Sequence, residues 1–279
     1  MPITIITDGS ADLPVDIVQQ WGVRIVPLHV SFEGKSFDLE RGNAAFYQEM
    51  KAHSMLPQTA SPSPYDFLQI MEEHKDEDML VITISSSLSS TYQHALMAAD
   101  MLQASGYRGS CRVLDSKTAS LGLGLLVYRA AREGEAATSL DELADRLSKV
   151  IERAKTYFSL DTLENVIKGG RLDRAKGAIA SVLNIKLVMQ ASEAGAVEVI
   201  DKVRGTPKAV GRLMEKLEEV KGNTGSLILG IAHSNCNERA IEFMKRVVSE
   251  YAFQEVVFSE MGPVIGTYAG EGGILMTFS

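Results

Sequence analysis

The run Ile84 to Tyr92, I-S-S-S-L-S-S-T-Y, follows the apolar stretch Met79 to Thr83 and precedes a helix-forming segment. Strand, hydroxyl-rich turn and helix in that order direct several backbone N–H groups at one point, and the serine and threonine hydroxyls add donors. Such a turn suits an anion, and it also serves to cap a helix. It has neither the lysine and glycine spacing of a nucleotide phosphate loop nor the flanking glycines of a nucleophile elbow, so a carboxylate or small phosphate fits it better. A second candidate is Arg171, delivered by Gly169-Gly170 from the end of a short predicted helix. Its planar guanidinium can donate two parallel hydrogen bonds to a carboxylate or phosphate.

His233, after the strand Ile228 to Ala232, is a candidate base, yet no serine or cysteine nucleophile motif accompanies it. Asp8 and Asp12 lie among Thr7, Gly9 and Ser10, which reads as cap chemistry more than as a metal site. From Gly262 to Gly273 the chain reads as a glycine-rich turn whose backbone can approach a ligand closely.

The elements that must position these residues alternate. Strands are predicted over Ile3 to Thr7, Val23 to Phe32, Met79 to Ile84 and Cys111 to Leu114, with helices near 14–21, 42–52, 65–74 and 91–104 between them and a further one, capped by residues 115–118, that contains the run Leu121 to Leu126. Residues 53–64, with Pro57, Pro62 and Pro64, read as a stiff loop. Gly122 and Gly124 stand where a helix prefers alanine, which signals either close packing or a passage for an apolar ligand. The amphipathic segment Ser139 to Lys155 marks a boundary, giving domains of residues 1–155 and 156–279. In the second, 185–190 and 197–203 form an antiparallel hairpin about Glu193-Ala194-Gly195, followed by helix 207–220, strand 227–232, helix 238–251 and strands 254–258 and 273–278. The fold class is α/β, with an N-terminal parallel sheet and a C-terminal mixed sheet.

The 279 residues include 45% hydrophobic and 23% charged side chains, enough to bury a substantial core. A net charge of −8 argues against nucleic acid or an anionic membrane surface as main partner, so any anion site is local. The two cysteines lack metal-ligand spacing, and the N-terminus lacks the pattern of a signal peptide or membrane span, so a cytoplasmic location is expected.

Five pieces in order, T-D-G-S-A-D-L-P, P-Q-T-A-S-P-S, I-S-S-S-L-S-S-T-Y-Q, L-E-N-V-I-K-G-G-R-L and G-P-V-I-G-T-Y-A-G-E-G, resemble the DegV family of bacterial fatty-acid-binding proteins along nearly the whole chain. The resemblance implies a Rossmann-like N-terminal domain with a long-chain fatty acid in a buried tunnel and its carboxylate at the domain interface. It assigns carboxylate contacts to Thr59 and Ser89, carries the G-G-R arginine to Arg171, and places Gly170, Ser61, Ser90, Thr267 and Tyr268 around the head group. It further implies a carrier without catalytic residues, metal or cofactor, which presents the acid to a separate ATP-dependent fatty acid kinase, a dihydroxyacetone-kinase-like protein, for acyl phosphate formation. The other reading is a hydrolase or phosphotransferase using the Ser-rich turn with Arg171 or His233. Three positions depart from the family pattern: Ala60 in place of serine, Ser90 in place of glycine, and Tyr268 in place of the histidine of G-T-H.

Overall fold

A computed structural model describes residues 2–172 and 184–279. The chain opens with β1 (Ile3–Asp8), α1 (Val15–Gln20), β2 (Arg24–Val26), β3 (His29–Phe32), β4 (Lys35–Ser36), α2 (Gly42–Ala52), β5 (Gln58–Ala60) and α3 (Pro64–Glu73). It continues through β6 (Asp78–Thr83), α4 (Thr91–Ala104), β7 (Cys111–Asp115), α5 (Leu121–Gly134) and α6 (Leu140–Arg153). Then come β8 (Lys155–Ser159), α7 (Glu164–Lys168), β9 (Ile185–Ala191), β10 (Val197–Arg204), α8 (Thr206–Glu215), β11 (Ile228–His233), α9 (Asn237–Glu250), β12 (Glu255–Glu260), α10 (Pro263–Ala269) and β13 (Ile274–Phe278).

Three sheets result. The first, β2-β1-β6-β7, is parallel throughout, and the apolar run of β6 and the mainly apolar β1 follow from burial on both faces. The second, β10-β9-β8-β13-β11-β12, is mixed, with β11 and β12 as its parallel pair. The third, β4-β3-β5, is small and antiparallel.

The fold class is the α/β one expected, with two local corrections. The stretch Val23 to Phe32 is two strands in different sheets, because Pro27 has no N–H to give a ladder and lies between β2 and β3. The proline-rich loop contains β5: Pro57 and Pro62 leave the N–H groups of Gln58 to Ala60 free, and these residues pair with β3, Thr59 opposite Val30.

Helix α5 lies between the two larger sheets, and ten of its fourteen residues are buried. Two interleaved stripes of i, i+4, i+7 spacing explain how. Leu121, Leu125 and Tyr128 join the core of the mixed sheet with Leu187 and Leu275, whereas Leu123, Val127 and Ala130 join that of the parallel sheet with Ile5, Leu80 and Ile82. The two glycines serve packing. A Cβ on Gly124 would lie 2.5 Å from the Ala11 carbonyl oxygen, and one on Gly122 would lie 2.5 Å from Thr118 Oγ1 and 2.7 Å from Thr156 Oγ1.

Candidate functional site

A cavity of about 350 Å³ lies where the Ser-rich turn, the starts of α5 and α10, β8 and the β9–β10 hairpin converge. That size falls within the roughly 300–1,000 Å³ of sites that enclose small molecules. Its walls are mainly apolar, supplied by residues such as Ile84, Leu88, Phe158, Leu160, Val264 and Leu275. At one end stand Thr59, Ser61, Ser89, Ser90, Arg171 and Tyr268, and because Ser90 and Arg171 are exposed, this is the end that reaches solvent.

Thr59 is presented by β5 and meets Tyr268 of α10, hydroxyl to hydroxyl, at 2.6 Å. One of those two protons is used between the pair and the other is available to a ligand. Ser89 Oγ accepts from the Thr91 N–H at 3.3 Å and lies 2.8 Å from Thr91 Oγ1, so Thr91 can donate to it and leave the Ser89 proton free. Ser61 Oγ is 2.7 Å from Ser90 Oγ, which links the β5 loop to the start of α4.

Arg171 is oriented by the turn after α7. Gly170, at φ +76°, reverses the chain, the Arg171 N–H donates to the Val166 carbonyl at 3.1 Å, and the guanidinium lies 4.7 Å from the centre of the Tyr268 ring. Nη1 donates to the Gly169 carbonyl at 2.6 Å and Nε to the Leu88 carbonyl at 3.3 Å, and among the described residues Nη2 has no partner, which leaves its two N–H groups for an anion. Gly169 has to lack a side chain, since a Cβ there would sit 2.6 Å from the Tyr268 ring.

Two of the residues expected around the head group do not line the cavity. Thr267 is buried and its hydroxyl donates to the Pro263 carbonyl at 2.8 Å, and Gly170 shapes the turn from behind. The reading of Gly262 to Gly273 as a turn is corrected: residues 263–269 are α10, with Pro263 in the first turn and Gly270 at φ +64° after the end. Gly266 belongs to a helix–helix contact, because a Cβ there would be 2.8 Å from the Tyr47 hydroxyl.

His233 is also away from the cavity. Its ring packs 5.4 Å from that of Phe258, its Nδ1 accepts from the Cys236 N–H at 3.4 Å, and burial pushes its pKa below the ordinary imidazole value. It therefore forms no relay with the Ser-rich turn. Asp8 accepts from the Ile84 N–H at 2.7 Å and the Ser10 N–H at 3.0 Å, fixing the strand end from which the Ser-rich turn starts. Among the described residues no cluster of His, Cys, Asp or Glu is arranged to hold a metal.

His94 escaped the reading of the sequence. Its Nδ1 lies 2.7 Å from the Pro62 carbonyl, an acceptor only, so that nitrogen carries the proton and the ring steadies the loop holding Ser61. The available signal was its position in the first turn of α4, one helical turn beyond Ser90.

Mainly apolar walls with hydroxyls and a guanidinium gathered at the solvent end are what a protein requires in order to hold an amphipathic small molecule, and they define the class. The model of the family described as "Uncharacterised protein, DegV family" matches residues 2–278. A DegV domain-containing protein of Caldanaerobacter subterraneus is 30% identical over 272 residues, covering 96% of this chain and 95% of its own. Two solved structures superpose closely. A DegV-family protein of Ruminococcus gnavus, refined with vaccenic acid, has a TM-score of 0.92 at 26% identity over 99% of both chains. A DegV-family protein of Thermus thermophilus, described for its fatty-acid binding, has a TM-score of 0.90 at 30% identity over 100% of this chain and 99% of its own. The chain belongs to the DegV family.

Proposed function

We propose that this protein binds a long-chain fatty acid, with the hydrocarbon in the apolar cavity and the carboxylate at Thr59, Ser89, Tyr268 and Arg171. The observation that supports the reading most directly is the gathering, at the solvent end of a mainly apolar cavity, of the Thr59, Ser89 and Tyr268 hydroxyls beside a guanidinium edge with no partner among the described residues. Apolar walls favour the chain at about 25 cal/mol per Å² buried, and donors aimed at a charged acceptor fix its head. In this reading the cavity forms where a unit of residues 1–155 meets one of residues 156–279. The fatty acid is a ligand and not a cofactor, and the protein works in the cytoplasm as a carrier without chemistry of its own. Its bound carboxylate is presented to a separate ATP-dependent fatty acid kinase. The enzyme alternative has less support, because His233 lies off the cavity.

The test is native mass spectrometry of the purified protein followed by organic extraction. A bound mass that extracts as a C14–C20 acid is the expected result. Bare polypeptide that also gains no thermal stability from added palmitate or oleate defeats the reading.

A further inference from the structure

Asp12 holds two walls of the cavity together. Its Oδ2 accepts from Ser120 Oγ at 2.6 Å and its Oδ1 from the Gly262 N–H at 2.8 Å. Ser120 lines the cavity at the start of α5, and Gly262 precedes α10, which brings Val264, Ile265 and Tyr268 to the same cavity. A third tie runs through the backbone, since Ser259 Oγ donates to the Asp12 carbonyl.

Both partners adopt backbone conformations that side chains with a Cβ rarely take, Asp12 at φ +48° and Ser120 at φ +54°. Ser120 occupies the N-cap position of α5 without capping it, because its hydroxyl is committed to Asp12. The Asp12–Ser120 hydrogen bond joins the two, and the bonds from Gly262 and Ser259 tie Asp12 to the start of α10.

We propose that Asp12 is the positioning residue of the acyl cavity, setting α10 with its Tyr268 hydroxyl against the start of α5, and that the clamp takes up a proton as an acyl anion fills the space. The proposal rests on the fatty-acid reading above. The groups that face the carboxylate agree with it. Asp8 at the end of β1 and Glu260 at the end of β12 raise its pKa by their charge, Ser120 and Gly262 lower it by donating, and burial dominates, bringing it to about 7. Asp8 is itself buried with its pKa raised by that burial, and Tyr47 of α2, also pushed upward by burial, stays a neutral donor, its hydroxyl giving to the Met261 carbonyl at 3.0 Å. The ligand adds a like charge to the cavity that Ser120 lines, which disfavours the ionised carboxyl. The ligand-bound form thus holds more protons than the empty one, so binding tightens as pH falls through 7.

The experiment is calorimetric titration of delipidated protein with palmitate between pH 6 and 8.5, in phosphate and in Tris so that proton uptake is read from the difference in heats. For the wild type we expect net proton uptake near pH 7 and an affinity that weakens by up to about tenfold toward pH 8.5, the change that a shift of one pKa unit gives. Asp12→Asn keeps an acceptor for Gly262 and should bind with a flatter pH profile and little uptake. Ser120→Ala removes a donor to the carboxylate and should move the profile to higher pH, which keeps the test decisive if the first variant does not fold. Wild-type binding with the same uptake and profile as these variants overturns the role of Asp12 alone. No palmitate binding by the wild type overturns the acyl reading and this proposal with it.

Discussion

At the scale of single residues, the head-group cluster makes the sharpest claims. Hydrogen bonds to a charged acceptor contribute roughly 1.5–3 kcal/mol, so Thr59→Ala and Ser89→Ala should each weaken palmitate binding about ten- to a hundredfold in a fluorescence displacement assay. Unchanged affinity in both removes them from the site. Tyr268→Phe frees Thr59 from its hydroxyl partner at 2.6 Å but keeps the ring under Arg171, so a smaller loss is expected, and a loss as large as that of Thr59→Ala would make the tyrosine hydroxyl the primary donor. Asp12 makes a different claim, on stability. Its carboxyl rises from 3.8 in the open chain to about 7 when folded, so between those values the native state holds a proton that the unfolded state has released. Its contribution is complete below pH 4 and is lost as pH rises through 7. Urea midpoints at pH 5 and pH 8 should accordingly fall more for the wild type than for Asp12→Asn, and parallel falls contradict the assignment. Sequence alone showed that Thr59, Ser89, Arg171 and Tyr268 belong together only through the family pattern; their separation along the chain gives no local signal. It could not show Asp12 bonded to Ser120, because a contact across 108 positions has no periodicity to betray it.

At the scale of elements, the legible parts were those with a repeating pattern. Strand β6 declared itself by the apolar run Met79 to Ile82, and the hairpin by its turn. What misled was residue type without context: the glycines of 262–270 suggested a turn, although Pro263 and Gly270 already bracketed a helix, and the prolines of 57–64 concealed a three-residue strand. Glycine chemistry gives a paired test. Gly211 in α8 has open space where a Cβ would go, so Gly211→Ala should stabilise by about 0.5–1 kcal/mol through reduced chain entropy. In α5, Gly124→Ala forces a Cβ against a backbone oxygen that cannot step aside, and a loss of about 1–3 kcal/mol is expected. Chemical denaturation of the two variants decides it, and equal effects would mean that α5 is less tightly seated between the sheets than its contacts indicate.

For the whole molecule, ligand and fold are linked. A ligand that binds only the folded chain stabilises it by about 2.7 kcal/mol when present at a hundred times its dissociation constant, so removing lipid should lower the melting temperature by several degrees and palmitate should restore it. Arg171, whose guanidinium is exposed at the cavity end, lies where a second protein can reach it, and Arg171→Ala should weaken palmitate binding and lose more phosphorylation in a kinase-coupled assay than that weaker binding explains. Normal phosphorylation of that variant removes the arginine from the transfer step.

The place of α5 bears on how such a chain comes off the ribosome. Its stripe of Leu121, Leu125 and Tyr128 is made more than 130 residues before β13, the strand that packs on it and that closes the gap between β8 and β11. Until then an oily helix edge and two unpaired strand edges face solvent together, a nascent state that aggregates readily and that chaperones recognise. Cutting the chain after Phe258 should therefore not yield a smaller stable protein but a species found in the insoluble fraction, and the quality of the acyl cavity is set only when the last strand arrives.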